Sequence, residues 1–201
     1  MTILPATYLG STTYFAHLLR EECVVDIHEH FLKRSERNRA HILTASGVMD
    51  LTVQVQRANH PQTPMCEMQI DYSKRWQHQH HIALLSAYKS SPYFDFYWDE
   101  LAPFYEKKYD FLVDYNIALT RVLLRLLGHA ERMPHLSLQY LTAEDGDQDL
   151  RPKQTEGSLL CAEPYMQVFS DRMPFEPNLS VVDLLFAEGP SASAVLARSR
   201  F

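Results

Sequence analysis

Glycine is scarce in this chain, with only 6 glycines among 201 residues. Neither a GxGxxG segment nor a GxxxxGK[ST] loop occurs in the sequence. Both of these phosphate-binding loops need glycine, because their backbone must approach the phosphates closely. A dinucleotide-binding fold or a P-loop is therefore not expected, and no motif identifies a cofactor. A GxSxG elbow is also missing, which removes the strongest sequence signal for a serine hydrolase.

Cysteines and long apolar runs are also few. The three cysteines, Cys23, Cys66 and Cys161, are too scattered for a disulfide framework or a zinc module. No apolar run approaches the roughly 20 residues that span a bilayer. The N-terminus lacks the basic and apolar regions of a signal peptide. We therefore expect a cytoplasmic protein with reduced cysteines and no transmembrane segment.

The chain has fewer positive than negative side chains, with 19 Lys and Arg residues and 25 Asp and Glu residues, for a formal net charge of −6. This balance argues against general nucleic-acid binding, which needs a broad basic face. The hydrophobic share of 46% and the charged share of 22% are typical of a globular protein. A chain of 201 residues can bury one substantial core, so a single domain over residues 1–201 is expected.

The first thirty residues predict a parallel crossover. Residues 3–9 and 23–27 are short apolar segments with the composition of buried strands, and residues 12–19 between them carry a helical apolar stripe after a capping Ser11. Ligands in such units gather beyond the carboxyl ends of the strands. Those ends are residues 8–11 and 28–31. A site is therefore expected first at residues 28–31.

The rest of the chain predicts a sheet covered by helices. The fold class is α/β, with a mixed sheet that begins with a parallel β-α-β unit and with central α-helices packed on it. The further strands are expected at residues 41–43, 49–55, 68–70 and 136–141, the helices at residues 76–89, 93–105, 110–127, 181–187 and 192–198, and a mobile loop at residues 144–153.

A basic cluster lies at residues 33–39 of this acidic chain. Its four cations are Lys33, Arg34, Arg37 and Arg39. An arginine fork suits phosphate or carboxylate, and a lysine adds a point charge, so the cluster is a candidate anion clamp. The four side chains cannot all point one way in a helix or in a strand. The alternative is a solvated basic turn that Glu36 balances.

Histidines offer a second candidate site. His28 and His30 would share one face of a strand, with Asp26 and Glu29 nearby. A metal site needs three or four converging ligands, and no HExxH or comparable motif is present, so no metal is expected. The alternative is that these imidazoles bond to backbone or water. A metal-dependent hydrolase that uses His28 and His30 is the weakest of the functions considered.

Short motifs follow one another in order over nearly the whole chain. They are Tyr8-Leu9, Tyr14-Phe15, Phe31-x-Lys33-Arg34-Ser35-x-x-Asn38-Arg39, Leu51-Thr52-Val53-x-Val55, Trp76-x-x-x-His80, Tyr88-x-x-x-Pro92-Tyr93-Phe94, and Leu179-Ser180-Val181-Val182-Asp183-Leu184-Leu185-Phe186-x-x-Gly189-Pro190. This ordered set resembles the WbqC-like protein family. The chain departs from the family near its N-terminus. Residues 4–11 stand where the family usually has a His-Gln-Pro-x-Tyr-Leu-Pro-Trp-like segment, and His28 stands where an Asp is common.

The resemblance implies a role in surface-polysaccharide (O-antigen) biosynthesis. The implied activity is acyl or aminoacyl (glycyl) transfer to a nucleotide- or carrier-linked amino sugar, which would be the partner. The missing His-Gln pair keeps open a non-catalytic binding or scaffolding component of a polysaccharide assembly system. A homo-oligomer is a further open possibility, because the aromatic-rich segments could form an interface as well as a core.

The site residues expected on this basis fall into two groups. The substrate-binding candidates are Tyr8, Lys33, Arg34, Asn38, Arg39 and Trp76. The candidates for the general base that deprotonates the acceptor amine are His28, His30 and His80. For Trp76 the alternative is core packing, and for His80 it is a buried hydrogen bond.

Overall fold

The computed structural model describes residues 1–57, 62–152 and 163–199. Within these ranges the chain forms six strands and six α-helices. The strands are β1 (Thr2–Leu4), β2 (Cys23–Val25), β3 (Arg39–Thr44), β4 (Gly47–Thr52), β5 (His135–Leu136) and β6 (Gln148–Asp149). The helices are α1 (Thr12–Arg20), α2 (Trp76–Tyr88), α3 (Phe94–Leu101), α4 (Leu112–Leu126), α5 (Val181–Glu188) and α6 (Ala192–Arg198).

The first three elements form the predicted crossover. Ser11 caps α1, because its Oγ accepts a hydrogen bond from the Tyr14 amide at 3.3 Å. Strands β1 and β2 then pair in parallel, with Thr2 opposite Cys23. The full sheet has the order β5-β2-β1-β6, and every neighbouring pair is parallel. The carboxyl ends of all four strands therefore meet at one edge.

The antiparallel pairing forms a separate sheet of two strands. Strands β3 and β4 make a hairpin, and its turn places Gly47 at a φ of +107°, which a residue with a Cβ rarely adopts. Along β3, Ala40 and Ile42 point into the core, while Arg39 and His41 lie on the more exposed face. The predicted α/β class is confirmed, with the parallel and antiparallel pairs in different sheets.

One continuous hydrophobic cluster joins the sheet to the helices, from Leu4 of β1 to Leu196 of α6. Ser180 caps α5, which was predicted at residues 181–187, because its side chain accepts a hydrogen bond from the Val182 amide. Helix α4 contributes the buried Asn116, whose Nδ2 donates to the carbonyls of Ala6 at 3.1 Å and Arg37 at 2.7 Å. This amide ties the basic segment to the edge of the parallel sheet. The longest described helix, α4, has 15 residues, and none of the described helices combines the length and apolarity that a bilayer crossing requires.

Several local predictions differ from the structure. Strand β1 ends at Leu4 and not at residue 9, and β4 ends at Thr52 and not at residue 55. The helix predicted over residues 93–105 is α3 followed by a 3-10 turn at Ala102–Tyr105. Residues 68–70 make only isolated bridges, Val55 with Ile70 and Gln69 with Phe111. Strand β5 ends at Leu136 and not at residue 141, and the Ser137 side chain that follows it donates a hydrogen bond to Asp26. The segment 144–153, predicted as a loop, contains β6, which is too short to show a sequence period. Lys153 at the end of that segment and Cys161 lie outside the described residues.

Candidate functional site

A cleft of about 430 Å³ opens at the carboxyl edge of the parallel sheet. Its walls come from the residues that follow β1 and β6, from the basic segment, from α1 and the hairpin, and from the segment before α5. These residues are Leu4, Pro5, Tyr14, His17, Arg34, Ser35, Glu36, Arg37, His41, Val48, Leu150, Arg151, Pro152, Glu176, Pro177, Asn178 and Leu179. Ligands of parallel α/β sheets bind at this edge, so the cleft is the candidate site.

A buried carboxylate, that of Asp26, lies beside the cleft and bonds to residues around it. Asp26 directly follows β2 and has no exposed surface. Its Oδ1 accepts from Ser137 Oγ at 2.8 Å and from the His28 amide at 2.9 Å. Its Oδ2 accepts from Arg151 Nη1 at 2.5 Å and from the Leu141 amide at 3.1 Å. Asp26 therefore holds together the segments that follow β2, β5 and β6.

Two of the three arginines that line the cleft are already paired with acids. Arg151 forks onto Asp149, with Nε to Oδ1 at 2.9 Å and Nη2 to Oδ2 at 2.7 Å. Arg37 forks onto the buried Glu29, and its Nη2 also donates to the Arg151 carbonyl at 2.8 Å. Burial raises the pKa of Glu29 to about 7, and the Arg37 fork opposes that rise. These two guanidiniums therefore form their ion pairs and hydrogen bonds with groups of the protein itself.

The third arginine of the cleft has no such partner. Arg34 is exposed, and it makes no ion pair or hydrogen bond with any residue in the described part of the chain. Its backbone φ is +56°. Arg34 thus presents an unpaired guanidinium at the mouth of the cleft, on a backbone that a residue with a Cβ adopts at a cost.

Backbone strain concentrates around this cleft. Within the described ranges, the non-glycine residues with positive φ are Leu9 at 44°, Arg34 at 56° and Asn178 at 57°. Arg34 and Asn178 line the cleft, and Leu9 lines a small pocket that shares several wall residues with it. Strained backbone tends to collect at binding and catalytic sites. Asn178 adopts this conformation readily, and its Oδ1 accepts a hydrogen bond from the Thr13 amide at 3.2 Å. Arg34 is therefore the cleft residue at which backbone strain is a second sign of function.

The cleft also contains groups that can transfer protons. Burial raises the pKa of Glu36, while a hydrogen bond that Ser11 Oγ donates at 3.3 Å and the nearby His41 oppose the rise. His41 Nδ1 lies 2.7 Å from Asp50 Oδ1. His17 bonds Glu21, and burial lowers the pKa of its imidazole. Sequence reasoning did not select these residues. Only the position of His41 on the exposed face of β3, beside the basic cluster, could have indicated it.

The candidate histidines His28 and His30 lie outside the lining of the cleft. His28 is half-buried, with its Nδ1 3.5 Å from Cys66 Sγ. His30 is exposed, and its ring stacks on Tyr140 with the centroids 5.7 Å apart. Lys33 is exposed next to Arg34. The roles expected for these three residues stay predictions.

Tyr8, Trp76 and His80 do come together, but in the core. Tyr8 Oη lies 2.9 Å from His80 Nδ1, and the rings of Trp76 and His80 have centroids 5.2 Å apart. Trp76 Nε1 donates to the Asp71 carbonyl at 3.0 Å. Burial lowers the pKa of His80 to about 4, so this imidazole is neutral near pH 7. With Tyr105 these residues form the aromatic cluster, whose polar atoms bond within the protein.

Asn38 and Arg39 support the hairpin that follows the basic segment. Asn38 is buried, and its Nδ2 donates to the Val53 carbonyl at 3.1 Å. Arg39 Nη1 lies 2.7 Å from Asp50 Oδ2. Arg39 and Tyr8 line the small pocket beside the cleft, and of the expected substrate-binding residues Arg34 is the one that lines the cleft itself. Across the described residues, no group of three or more His, Cys, Asp or Glu side chains is arranged to hold a metal ion.

Comparison with known proteins identifies the family of this chain. The model of the WbqC-like protein family matches residues 6–155. The chain belongs to the WbqC-like family. The match includes the basic segment, the hairpin and Arg151, whereas the wall formed by residues 176–179 lies beyond it. No curated protein and no solved structure matches the chain at a significant level.

Proposed function

We propose that this WbqC-like protein is a transferase of surface-polysaccharide (O-antigen) biosynthesis. It transfers an acyl or aminoacyl (glycyl) group to the amine of a nucleotide- or carrier-linked amino sugar. The family supports the biosynthetic setting. The unpaired Arg34 at the carboxyl edge of the parallel sheet is the observation that carries the site, because it offers a fork for the diphosphate that such a substrate contains.

The surroundings of Arg34 fit this role. Arg37 and Arg151 are held by their acids, so they form a rigid wall instead of competing for the ligand. Lys33 is exposed next to Arg34 and adds a second positive charge at the rim. The volume of about 430 Å³ lies in the range of small-molecule sites. In this arrangement Arg34 and Lys33 bind the phosphates, and the deeper part of the cleft receives the sugar.

Thermal shift with a ligand panel tests the proposal. Purified protein is screened against sugar nucleotides, acyl-CoA donors, nucleoside triphosphates and divalent metals. A ligand at about 100 times its Kd adds about 2.7 kcal/mol to the free energy of unfolding. We expect a sugar nucleotide to stabilise the wild type and Arg121→Ala, a matched loss of one exposed arginine on α4, but not Arg34→Ala. Equal stabilisation of all three proteins would contradict the role of Arg34.

A second candidate function is a non-catalytic binding component of a polysaccharide assembly system. The observation that favours it is that His28, His30 and His80 lie away from the cleft, so the expected bases are not at the expected ligand. The two functions differ in consumption of the donor. A protein that binds the sugar nucleotide through Arg34 and consumes none of the acyl donors would support the binding component over the transferase.

A further inference from the structure

One face of the β3–β4 hairpin carries a polar triplet made of Arg39, His41 and Asp50. The antiparallel register places His41 directly opposite Asp50, and Arg39 is two residues along β3, on the same face as His41. The opposite face, with Ala40, Ile42 and Leu51, is buried. The alternation that packs the hairpin on the core therefore also presents the triplet toward the cleft side.

Both carboxylate oxygens of Asp50 are used within the triplet. Oδ1 lies 2.7 Å from His41 Nδ1, and Oδ2 lies 2.7 Å from Arg39 Nη1. A carboxylate oxygen accepts hydrogen bonds, so it holds the imidazole with its proton on Nδ1. The other ring nitrogen, Nε2, then presents a lone pair. It has no hydrogen-bond partner among the residues that the structure describes.

His41 lines both the cleft and the small pocket beside it. Glu36 lines the same two spaces, and the exposed Arg34 lines the cleft. A carboxylate beside an imidazole suits a substrate amine, because the carboxylate attracts an ammonium while the imidazole removes its proton. A base that is oriented by an acid is the arrangement that activates a nucleophile, and His41 and Asp50 have this geometry.

We propose that His41, oriented by Asp50, is the general base of this cleft; the inference rests on the proposed transferase function and names its proton acceptor. His41 Nε2 takes a proton from the acceptor amine as the amine nitrogen forms the new amide bond to the carbonyl carbon of an activated acyl ester or thioester. The bond from that carbon to the leaving oxygen or sulfur breaks. The imidazolium then returns the proton to the leaving group, so no further reactant is needed.

Arg39 is a positioning residue in this arrangement. Its guanidinium holds Asp50 Oδ2, which keeps the carboxylate in the plane where Oδ1 meets His41. This gives Arg39 a task that does not require contact with substrate. Replacing Arg39 with Lys should preserve part of the effect, because a point charge attracts the carboxylate but does not fix its orientation.

The tautomer of His41 gives the first test, independent of any reaction. Long-range ¹H–¹⁵N spectra above the imidazole titration range report which ring nitrogen carries the proton. We expect the Nδ1–H form in the wild type and a shift to the Nε2–H form, which water favours, in Asp50→Ala. A wild-type His41 in the Nε2–H form would overturn the inference whatever the activity of the protein.

Turnover gives the second test, with a glycyl thioester as donor and a UDP-linked amino sugar as acceptor. His41→Gln should lower kcat by about 100-fold or more with little change in KM for the acceptor. Asp50→Ala should lower kcat less, and His78→Gln, an exposed histidine on α2, should match the wild type. Full activity of His41→Gln would overturn the inference. An inactive wild type with the Nδ1–H tautomer would support the oriented imidazole and count against the transferase instead.

Discussion

The aromatic cluster and the cleft contain similar side chains in opposite states. In the aromatic cluster, Tyr8, Trp76 and His80 are nearly inaccessible, and their polar atoms bond to one another or to backbone. In the cleft, Arg34 is exposed without a partner in the described ranges, and His41 keeps one ring nitrogen unbonded there. Residue type and family motif therefore do not separate the side chains that pack in the core from the candidate binding groups of the cleft. The two regions differ in whether the polar atoms have hydrogen-bond partners within the protein and in whether the backbone is strained.

Backbone conformation sharpens the contrast. Arg34 holds a φ of +56°, and Asn178 across the cleft holds +57°, whereas Trp76 and His80 lie in the regular helix α2. A core residue lowers the free energy of the fold through its packing. A residue on strained backbone raises that free energy and persists when function requires its side chain there.

The largest effect should come from emptying the aromatic cluster. Trp76→Ala removes a side chain that is 1% exposed, and we expect a loss of about 3–5 kcal/mol in the free energy of unfolding, measured by urea denaturation. Trp76→Phe should cost less and should bind a sugar nucleotide as tightly as the wild type. Lost binding in a folded Trp76→Phe protein would contradict a purely structural role for Trp76 and would indicate that it belongs to the substrate site.

Acid should weaken the aromatic cluster through His80. Burial lowers its pKa from 6.5 to about 4, so the unfolded chain takes up a proton at a higher pH than the folded one. The contribution of the neutral His80 to the free energy of unfolding is therefore complete above about pH 6.5. This contribution, about 3 kcal/mol, is lost as the pH falls through about 4. Denaturation at several pH values should show this slope in His78→Asn, an exposed control, and a shallower one in His80→Asn. Equal slopes would contradict the burial of a neutral His80.

The smallest effect should be a gain of stability in the cleft. Arg34→Gly relieves a positive φ, and we expect it to raise the free energy of unfolding by roughly 0.5–1 kcal/mol while anion binding is lost. Asn178→Gly relieves a positive φ without removing a charge, but it also removes the hydrogen bond that Asn178 Oδ1 accepts from the Thr13 amide at 3.2 Å, so its stability should change little and it should still bind. A destabilised Arg34→Gly protein would show that the arginine serves the fold.

Local signals predicted a large part of the fold. The caps at Ser11 and Ser180, the crossover from β1 to β2 and the helix α6 all follow from spacing and capping within a few residues. Strand β6 did not follow, because two residues carry no period and its pairing with β1 joins positions far apart in the chain. The family resemblance read from ordered motifs is confirmed.

The candidate site was less predictable. The basic segment pointed to the cleft, but nothing local indicates that Arg37 is taken by Glu29 or that Arg151 is taken by Asp26, because these pairs depend on the closed fold. The partnership of His41 with Asp50 depends on hairpin register. The motif that contains Trp76 and His80 was expected at the site and lies in the core, and sequence alone does not separate the two because aromatic and imidazole groups occur in both.

Titration of ¹⁵N-labelled protein with inorganic pyrophosphate, followed through backbone amide shifts, tests the central claim most directly. Pyrophosphate is the group that all sugars linked to a nucleoside diphosphate share. We expect the shifted amides to concentrate at residues 34–37, 150, 151, 176, 178 and 179, and we expect Arg34→Ala to abolish the shifts. Shifts centred on α2 and the aromatic cluster, or no shift at millimolar pyrophosphate, would contradict the assignment of the cleft as the binding site.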